Sequence, residues 1–131
     1  MYYKETKDFT PQQLQRLFLS VHWQSGSYPE KLVLAMKNSS HVISAWDNEK
    51  LVGLVRSIDD KQTIAFIHYL LVDPNYQGKH IGYNLMQKLL QKYDDILYIK
   101  VMPSDPNTIS FYEKFGFKQY DNYSAMVIKK L

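Results

Sequence analysis

The chain has 131 residues, no cysteine and a formal net charge of +3. The missing cysteines exclude disulfides, thiolate metal sites and a cysteine nucleophile. The positive charges are few and spread out, so we expect an anionic small ligand rather than nucleic acid as partner. No apolar run reaches the roughly 18 residues of a membrane span, and the N-terminal sequence lacks a signal-peptide core. We therefore expect one cytoplasmic domain over residues 1–131 that does not bind membranes.

The N-terminal part of the chain predicts a strand followed by two helices. Thr10, Pro11 and Gln13 have the spacing of a helix start, in which threonine caps, proline begins the first turn and glutamine completes a capping box. Proline also begins the second helix. The expected elements are a strand at 1–5, a helix from Pro11 to about Ser20, a loop at 22–28, and a helix from Pro29 that ends at 38–40.

After residue 40 the apolar pattern changes to that of strands, interrupted by one long amphipathic helix. In that helix Ile81, Leu85 and Leu89 share an apolar face. Residues 47–50 have the composition of a hairpin turn. The expected elements are strands at 41–46, 51–58, 63–72 and 96–102, a helix that begins at 79–82, a short helix that begins at 106 and ends at Gly116, and strands at 117–120 and 124–128.

This order, β-α-α-β-β-β-α-β-α-β-β, predicts an α/β fold with a mixed sheet. Hairpin-length turns produce antiparallel neighbours, whereas the strand–helix–strand unit at 63–102 requires a parallel pair with a right-handed crossover. Ligands of open α/β sheets bind beyond the carboxyl ends of such strands. The loop at 73–82 lies at that position.

The stretch 70–82, L-L-V-D-P-N-Y-Q-G-K-H-I-G, combines a strand end, a glycine-bearing loop and a helix start. Unpaired amides and the positive end of the helix dipole make such a junction an anion site, and phosphate is its usual ligand. The spacing excludes both the dinucleotide fingerprint and the nucleotide P-loop. Gly78 and Gly82 are four residues apart, and Tyr83-Asn84 stands in place of the Lys-[Ser/Thr] pair of the P-loop.

Residues 77–82, Q-G-K-H-I-G, resemble the acyl-CoA loop of the GCN5-related N-acetyltransferase (GNAT) superfamily, [Q/R]-x-x-G-x-[G/A]. His80 occupies the fourth position, where glycine is usual. Histidine is among the residues that tolerate a positive φ, and it could also contact a phosphate. A second segment, N-T-I-S-F-Y-E-K-F-G-F at 107–117, is similar to the superfamily's N-x-x-[A/S]-x-x-F-Y-x-x-x-G-F motif, with a spacing one residue tighter between Asn107 and Tyr112. The superfamily also has the element order predicted here.

The resemblance implies an acetyl-CoA-dependent N-acetyltransferase that needs no metal and transfers the acetyl group directly to a primary amine of a small molecule. The strand at 70–72 would pair with the pantetheine arm, and a free N–H near Leu71 would stabilise the oxyanion. Tyr112 would protonate the leaving thiolate. The residues implied in acetyl-CoA binding are Leu70, Leu71, Val72, Gln77, Gly78, Lys79, His80, Ile81, Gly82, Tyr83, Asn107, Phe111, Tyr112 and Lys114.

The general base and the acceptor pocket are harder to identify. His68 is the one side chain on the strand at 63–72 with a suitable pKa. By resemblance, it lies where superfamily members that acetylate arylalkylamines carry a histidine. Strand alternation predicts that only one of His68 and Tyr69 faces the acceptor. The predicted acceptor-binding residues are His22, Trp23, Tyr28 and Tyr69.

Other interpretations remain open for the sequence. Tyr112 has three phenylalanines nearby and could be a core residue. His68 could be buried in the sheet with its ring nitrogens hydrogen-bonded to a neighbour. Lys114 could be a solvated lysine. The whole chain could be a non-catalytic acyl-CoA-binding module, or a protein or peptide N-acetyltransferase. The resemblance also allows a homodimer.

Overall fold

The computed structural model describes all 131 residues and contains one five-stranded sheet of order β1-β2-β3-β4-β5. None of its helices has the length and apolarity needed to cross a bilayer. The elements are β1 (Tyr2–Lys4), α1 (Pro11–Ser20), α2 (Pro29–Asn38), β2 (His41–Asp47), β3 (Lys50–Asp59), β4 (Ile64–Val72), α3 (Ile81–Leu90), β5 (Tyr98–Val101) and α4 (Ile109–Glu113), with short 3-10 turns at 24–27, 74–76 and 106–108.

The sheet is mixed, as predicted. The strands β1 to β4 pair antiparallel with their neighbours, and β4 pairs with β5 in parallel. The α3 helix makes the crossover between the two parallel strands. The predicted start of α1 is also confirmed, because the hydroxyl of Thr10 accepts the Gln13 N–H at 3.1 Å and the Gln13 side chain accepts the Thr10 N–H at 2.9 Å.

Two apolar cores cover the two faces of the sheet. Successive residues of β3 belong to different cores, since Leu54 packs with α1 and α2 whereas Val55 packs with α3. The helices therefore form layers on opposite sides. The first core includes Leu14, Phe18, Met36 and Leu71, and the second includes Ile67, Leu85, Met86 and Leu89.

The two C-terminal strands predicted at 117–120 and 124–128 do not form. The chain has no regular structure after residue 116, and Met126 and Ile128 are 89% and 86% exposed. Neither segment pairs with a strand of the sheet, whose last strand is β5. A two-stranded hairpin without such a neighbour is only marginally stable in water, and this accounts for the wrong prediction.

Candidate functional site

The sheet opens into a wedge along one edge of β4. β5 pairs with β4 only from Ile64 to Ile67 and ends at Val101. Pro103 follows shortly after β5 and has no N–H to continue the ladder. Residues 68–72 of β4 thus have β3 on one side and no strand on the other. An extended ligand can add to a strand edge of this kind.

The register of β4 determines which of its amides face the wedge. The N–H of Asp73 donates to the carbonyl oxygen of Val52, on β3, at 2.8 Å. Because N–H groups alternate in direction along a strand, the N–H of Leu71 also points towards β3, and those of Leu70 and Val72 point into the wedge. The contact of the Val72 carbonyl supports this assignment. That carbonyl accepts a hydrogen bond from the Gln77 side chain at 3.1 Å, so Val72 turns its polar groups away from β3. The prediction of a free N–H near Leu71 is therefore corrected to its two neighbours.

A row of backbone donors follows directly after the wedge. None of the N–H groups from Gly78 to Tyr83 has an acceptor within the protein, and the first N–H of α3 to donate is that of Asn84, to the carbonyl of His80. The helix dipole adds positive potential at the same place. Gly78 and His80 have φ values of 80° and 61°, so the predicted tolerance of a positive φ at His80 is confirmed. Gln77 and Lys79 are exposed beside these amides.

An ion pair between the partly exposed Arg16 and the buried Asp73 fixes the start of this loop. The carboxylate of Asp73, 2% exposed, accepts hydrogen bonds from Arg16 Nη1 at 2.8 Å and from the Asn75 N–H at 2.9 Å. Burial by itself would raise the pKa of Asp73, but these hydrogen bonds outweigh it and lower the pKa below its ordinary value. Arg16 also donates to the carbonyl of Leu51, so α1, β3 and the loop are joined. The sequence did not indicate Arg16, whose partner lies 57 residues away.

The α4 segment places Tyr112 on the α3 side of the sheet. Its ring makes edge contacts with Phe111 at 5.2 Å and Phe117 at 5.9 Å. Burial raises the pKa of Tyr112, so its phenol keeps the proton at neutral pH and remains a donor. A Cβ on Gly82 would lie 3.8 Å from the Phe111 ring, which puts α4 against the start of α3. The other predicted acetyl-CoA residues of this region, Asn107, Lys114 and Tyr83, are exposed.

A β-bulge lies at the entrance of the wedge. The register places Leu70 opposite Val55 and His68 opposite Arg56, which leaves Tyr69 as the extra residue, with a φ of 70°. The rings of His68 and Tyr69 stack at 3.9 Å, and both contact Arg56. The two rings therefore lie side by side and not on opposite faces of β4, because the bulge breaks the strand alternation.

The contact with Arg56 determines which nitrogen of His68 carries the proton. Its Nη2 lies 2.7 Å from His68 Nδ1, and because a guanidinium can only donate, Nδ1 is the acceptor. The imidazole is then neutral, with its proton on Nε2. Burial, with the Arg56 charge as second cause, lowers the pKa of His68 to about 4. This arrangement argues against His68 as the general base, since the lone pair that would take the proton is occupied.

Aromatic side chains continue the site beyond the bulge. Tyr69 is 4.9 Å from Phe18, in an edge contact, and 5.9 Å from Trp23. Of the predicted acceptor residues, Trp23 and Tyr69 are thus together, whereas His22 and Tyr28 are exposed and lie outside the stacked group. A surface groove of about 580 Å³, lined by residues of β1 and of the start of α1, lies elsewhere and includes none of the predicted site residues.

Comparison with known proteins agrees with this geometry. The sequence model of the acetyltransferase (GNAT) family matches residues 5–117. An uncharacterized N-acetyltransferase, ycf52, of Pyropia yezoensis is 32% identical and is aligned over 96% of this chain and 75% of its own length. The fold is similar to that of the GNAT family protein SP0256 of Streptococcus pneumoniae, with a TM-score of 0.83, 25% identity, and coverage of 99% of this chain and 98% of that one.

A solved aminoglycoside 6'-N-acetyltransferase in complex with coenzyme A has the same fold at 22% identity, with a TM-score of 0.58 over 70% of this chain and 54% of its own. In this chain, the wedge and the free amides of residues 78–83 combine a strand edge, to which an extended ligand can add, with donors for an anion. The chain therefore belongs to the GNAT family of acetyl-CoA-dependent N-acetyltransferases.

Proposed function

We propose that this protein transfers the acetyl group of acetyl-CoA directly to the primary amine of a small molecule. The observation that carries the proposal is the row of unpaired N–H groups from Gly78 to Tyr83 beside the open edge of β4. In this proposal the amides hold the pyrophosphate, with Lys79 as a charged contact, and Leu70 and Val72 pair with the pantetheine arm.

Two groups of the chain act on the reacting atoms. The N–H of Leu70 donates to the thioester oxygen as negative charge develops there. Tyr112 gives its proton to the departing thiolate and recovers one from solvent. The new C–N bond replaces the C–S bond, and water in the wedge takes the proton of the amine, since Nδ1 of His68 already accepts from Arg56. No residue of the chain forms a covalent intermediate.

The acceptor side supports a small substrate. Trp23 and Tyr69 are half-buried, and the buried Phe18 packs against both rings from the core side. Three large rings packed next to the bulge leave less room for an extended peptide than for a compact amine. We therefore assign the acceptor face to Trp23 and Tyr69.

Thiol release from acetyl-CoA, measured with a panel of small amines and short peptides, tests this function. We expect turnover with at least one class of small amine and a roughly 10²- to 10⁴-fold lower kcat for Tyr112→Phe, with an unchanged KM for acetyl-CoA, because that phenol contributes general acid catalysis. A Tyr112→Phe enzyme with normal turnover would reduce Tyr112 to a packing residue. Tight coenzyme A binding without turnover on any amine would favour a non-catalytic acyl-CoA-binding module, and efficient turnover only on peptides would favour a peptide acetyltransferase.

A further inference from the structure

Arg56 is a buried cation without a carboxylate partner. Its residue surface is 7% exposed, and it takes part in none of the ion pairs of the protein. Nη1 lies 3.4 Å from the hydroxyl of Ser39, Nη2 donates to His68, and Nε is buried with no hydrogen-bond partner. A guanidinium has five N–H donors, so part of its capacity is unused here.

The groups around Arg56 do not balance its charge. His68 is neutral, Ser39 is neutral, and the Tyr69 ring, 4.9 Å from the guanidinium carbon, contributes only its π face. Burial lowers the pKa of Arg56, and no carboxylate acts against that effect. Buried charges in proteins are almost always paired, because an unpaired one is poorly solvated. The cluster of Arg56, His68, Tyr69 and Ser39 therefore favours an anion.

In the proposed reaction, this cluster lies beside the place where the acceptor binds. Arg56 is opposite His68 in the sheet. His68 comes one residue before the bulge at Tyr69 and two residues before Leu70, whose N–H faces the wedge. Tyr69 joins the cluster to Trp23. His68 is only partly buried and borders solvent, so a ligand can approach the guanidinium past it.

We propose that the amine acceptor carries a carboxylate or phosphate group that pairs with the guanidinium of Arg56. The inference rests on the proposed acetyl transfer and names the substrate class for it. The planar fork of arginine binds carboxylates and phosphates with two parallel hydrogen bonds. The same charge repels polyamines and aminoglycosides, which are cationic around the reacting amine. Amines that lack the anionic group are also disfavoured, because they leave Arg56 buried and unpaired.

Matched pairs of acceptors test the proposal and separate the two anions. The pairs are phenylalanine against phenethylamine, for a carboxylate, and glucosamine 6-phosphate against glucosamine, for a phosphate. Initial rates of acetylation and calorimetric binding to the enzyme–coenzyme A complex are measured for each. In the wild-type protein we expect the anionic member of at least one pair to bind about tenfold more tightly or better and to have the higher kcat/KM.

Variants at Arg56 then show whether Arg56 causes the preference for the anionic acceptor. We expect Arg56→Met to abolish it, Arg56→Lys to retain part of it, and Lys31→Met, which removes an exposed charge on α2, to leave it unchanged. An unchanged coenzyme A affinity shows that the variants fold. Equal losses for both members of a pair would indicate a structural role for Arg56 and overturn the proposal, as would a wild-type protein that binds neither anionic amine. Acetylation of a cationic amine by that protein would still leave the proposed function standing.

Discussion

At the scale of single residues, the contact between Arg56 and His68 argues against the predicted role of His68 as the general base. The sequence indicated His68 as a base because histidine is the usual side chain for that task near neutral pH. The structure gives it a donor on Nδ1 and a pKa lowered to about 4. A base with so low a pKa accepts a proton weakly, and its neutral form persists far below pH 6.

The pH–rate profile provides a direct test. A lowered pKa means that His68 stays neutral as the pH falls through 6.5 and gains its proton only near pH 4. We therefore expect kcat/KM to show no acidic limb near pH 6.5 from this residue. His68→Gln, whose amide oxygen can still accept from Arg56, should keep activity within about tenfold of wild type, because it loses no general base catalysis. An acidic limb near 6.5 that disappears in His68→Gln would restore His68 as the base.

Residue motifs indicated much of the site, but not its distant partners. The spacing within residues 77–82 and 107–117 is enough to indicate the loop and Tyr112. Arg56 and Arg16 carry no local signal, because an arginine in a strand or on a helix becomes notable only when its burial and distant partners are known. His68 and Asp73 are those partners, and neither is close in sequence.

At the scale of elements, the loop between β4 and α3 depends on two left-handed residues, Gly78 and His80. Glycine adopts this conformation without steric cost, and histidine tolerates it better than a β-branched residue does. No atom lies within 4 Å of where a Cβ on Gly78 would be, so any effect of a side chain there comes from backbone strain rather than from a clash.

Gly78→Val should therefore weaken acetyl-CoA binding without disturbing the core. A β-branched residue in the left-handed region costs about 1–2 kcal/mol, and we expect the calorimetric Kd to rise about tenfold as the loop amides turn away. Gly82→Ala is the matched control, since Gly82 has no positive φ and a Cβ there makes only ordinary contacts at 3.8 Å. If Gly78→Val bound acetyl-CoA as tightly as Gly82→Ala does, the loop conformation would not matter for binding.

The elements were mostly predictable because caps, turns and apolar periods are local. The bulge at Tyr69 was not, since strict alternation gives no sign of an extra residue. The C-terminal strands were predicted from β-forming residues alone, and such residues need a neighbouring strand that the sheet does not supply after β5.

At the scale of the whole molecule, the candidate site forms in one sheet with helices on both faces. It lies where the pairing between β4 and β5 stops before β4 ends. The two cores hold β3 and β4 firmly, while β5 leaves β4 after four residue pairs. The loop at 73–82 lies on the α3 side of this opening, and the cluster around Arg56 lies on the side of α1 and α2. Donor and acceptor can thus approach the bulge from opposite faces.

The order of elements as far as α4 and the mixed sheet followed from the sequence, since turn lengths and the crossover rule leave few alternatives. The sequence did not predict which amides of β4 face the wedge, because that depends on the register between β3 and β4. The sequence carries no sign of that register, so the free amide was expected only near Leu71, and the register directs the N–H groups of Leu70 and Val72 into the wedge.

Backbone amide shifts on addition of coenzyme A test the central claim most directly. In ¹H–¹⁵N correlation spectra of the wild-type protein, we predict large saturable shifts for the amides of residues 78–83 and for Leu70 and Val72, because these donors lack partners in the protein. The amide of Leu71, directed towards β3, should shift much less. Binding that left residues 78–83 unmoved, or that shifted Leu71 more than its neighbours, would contradict this account of the site.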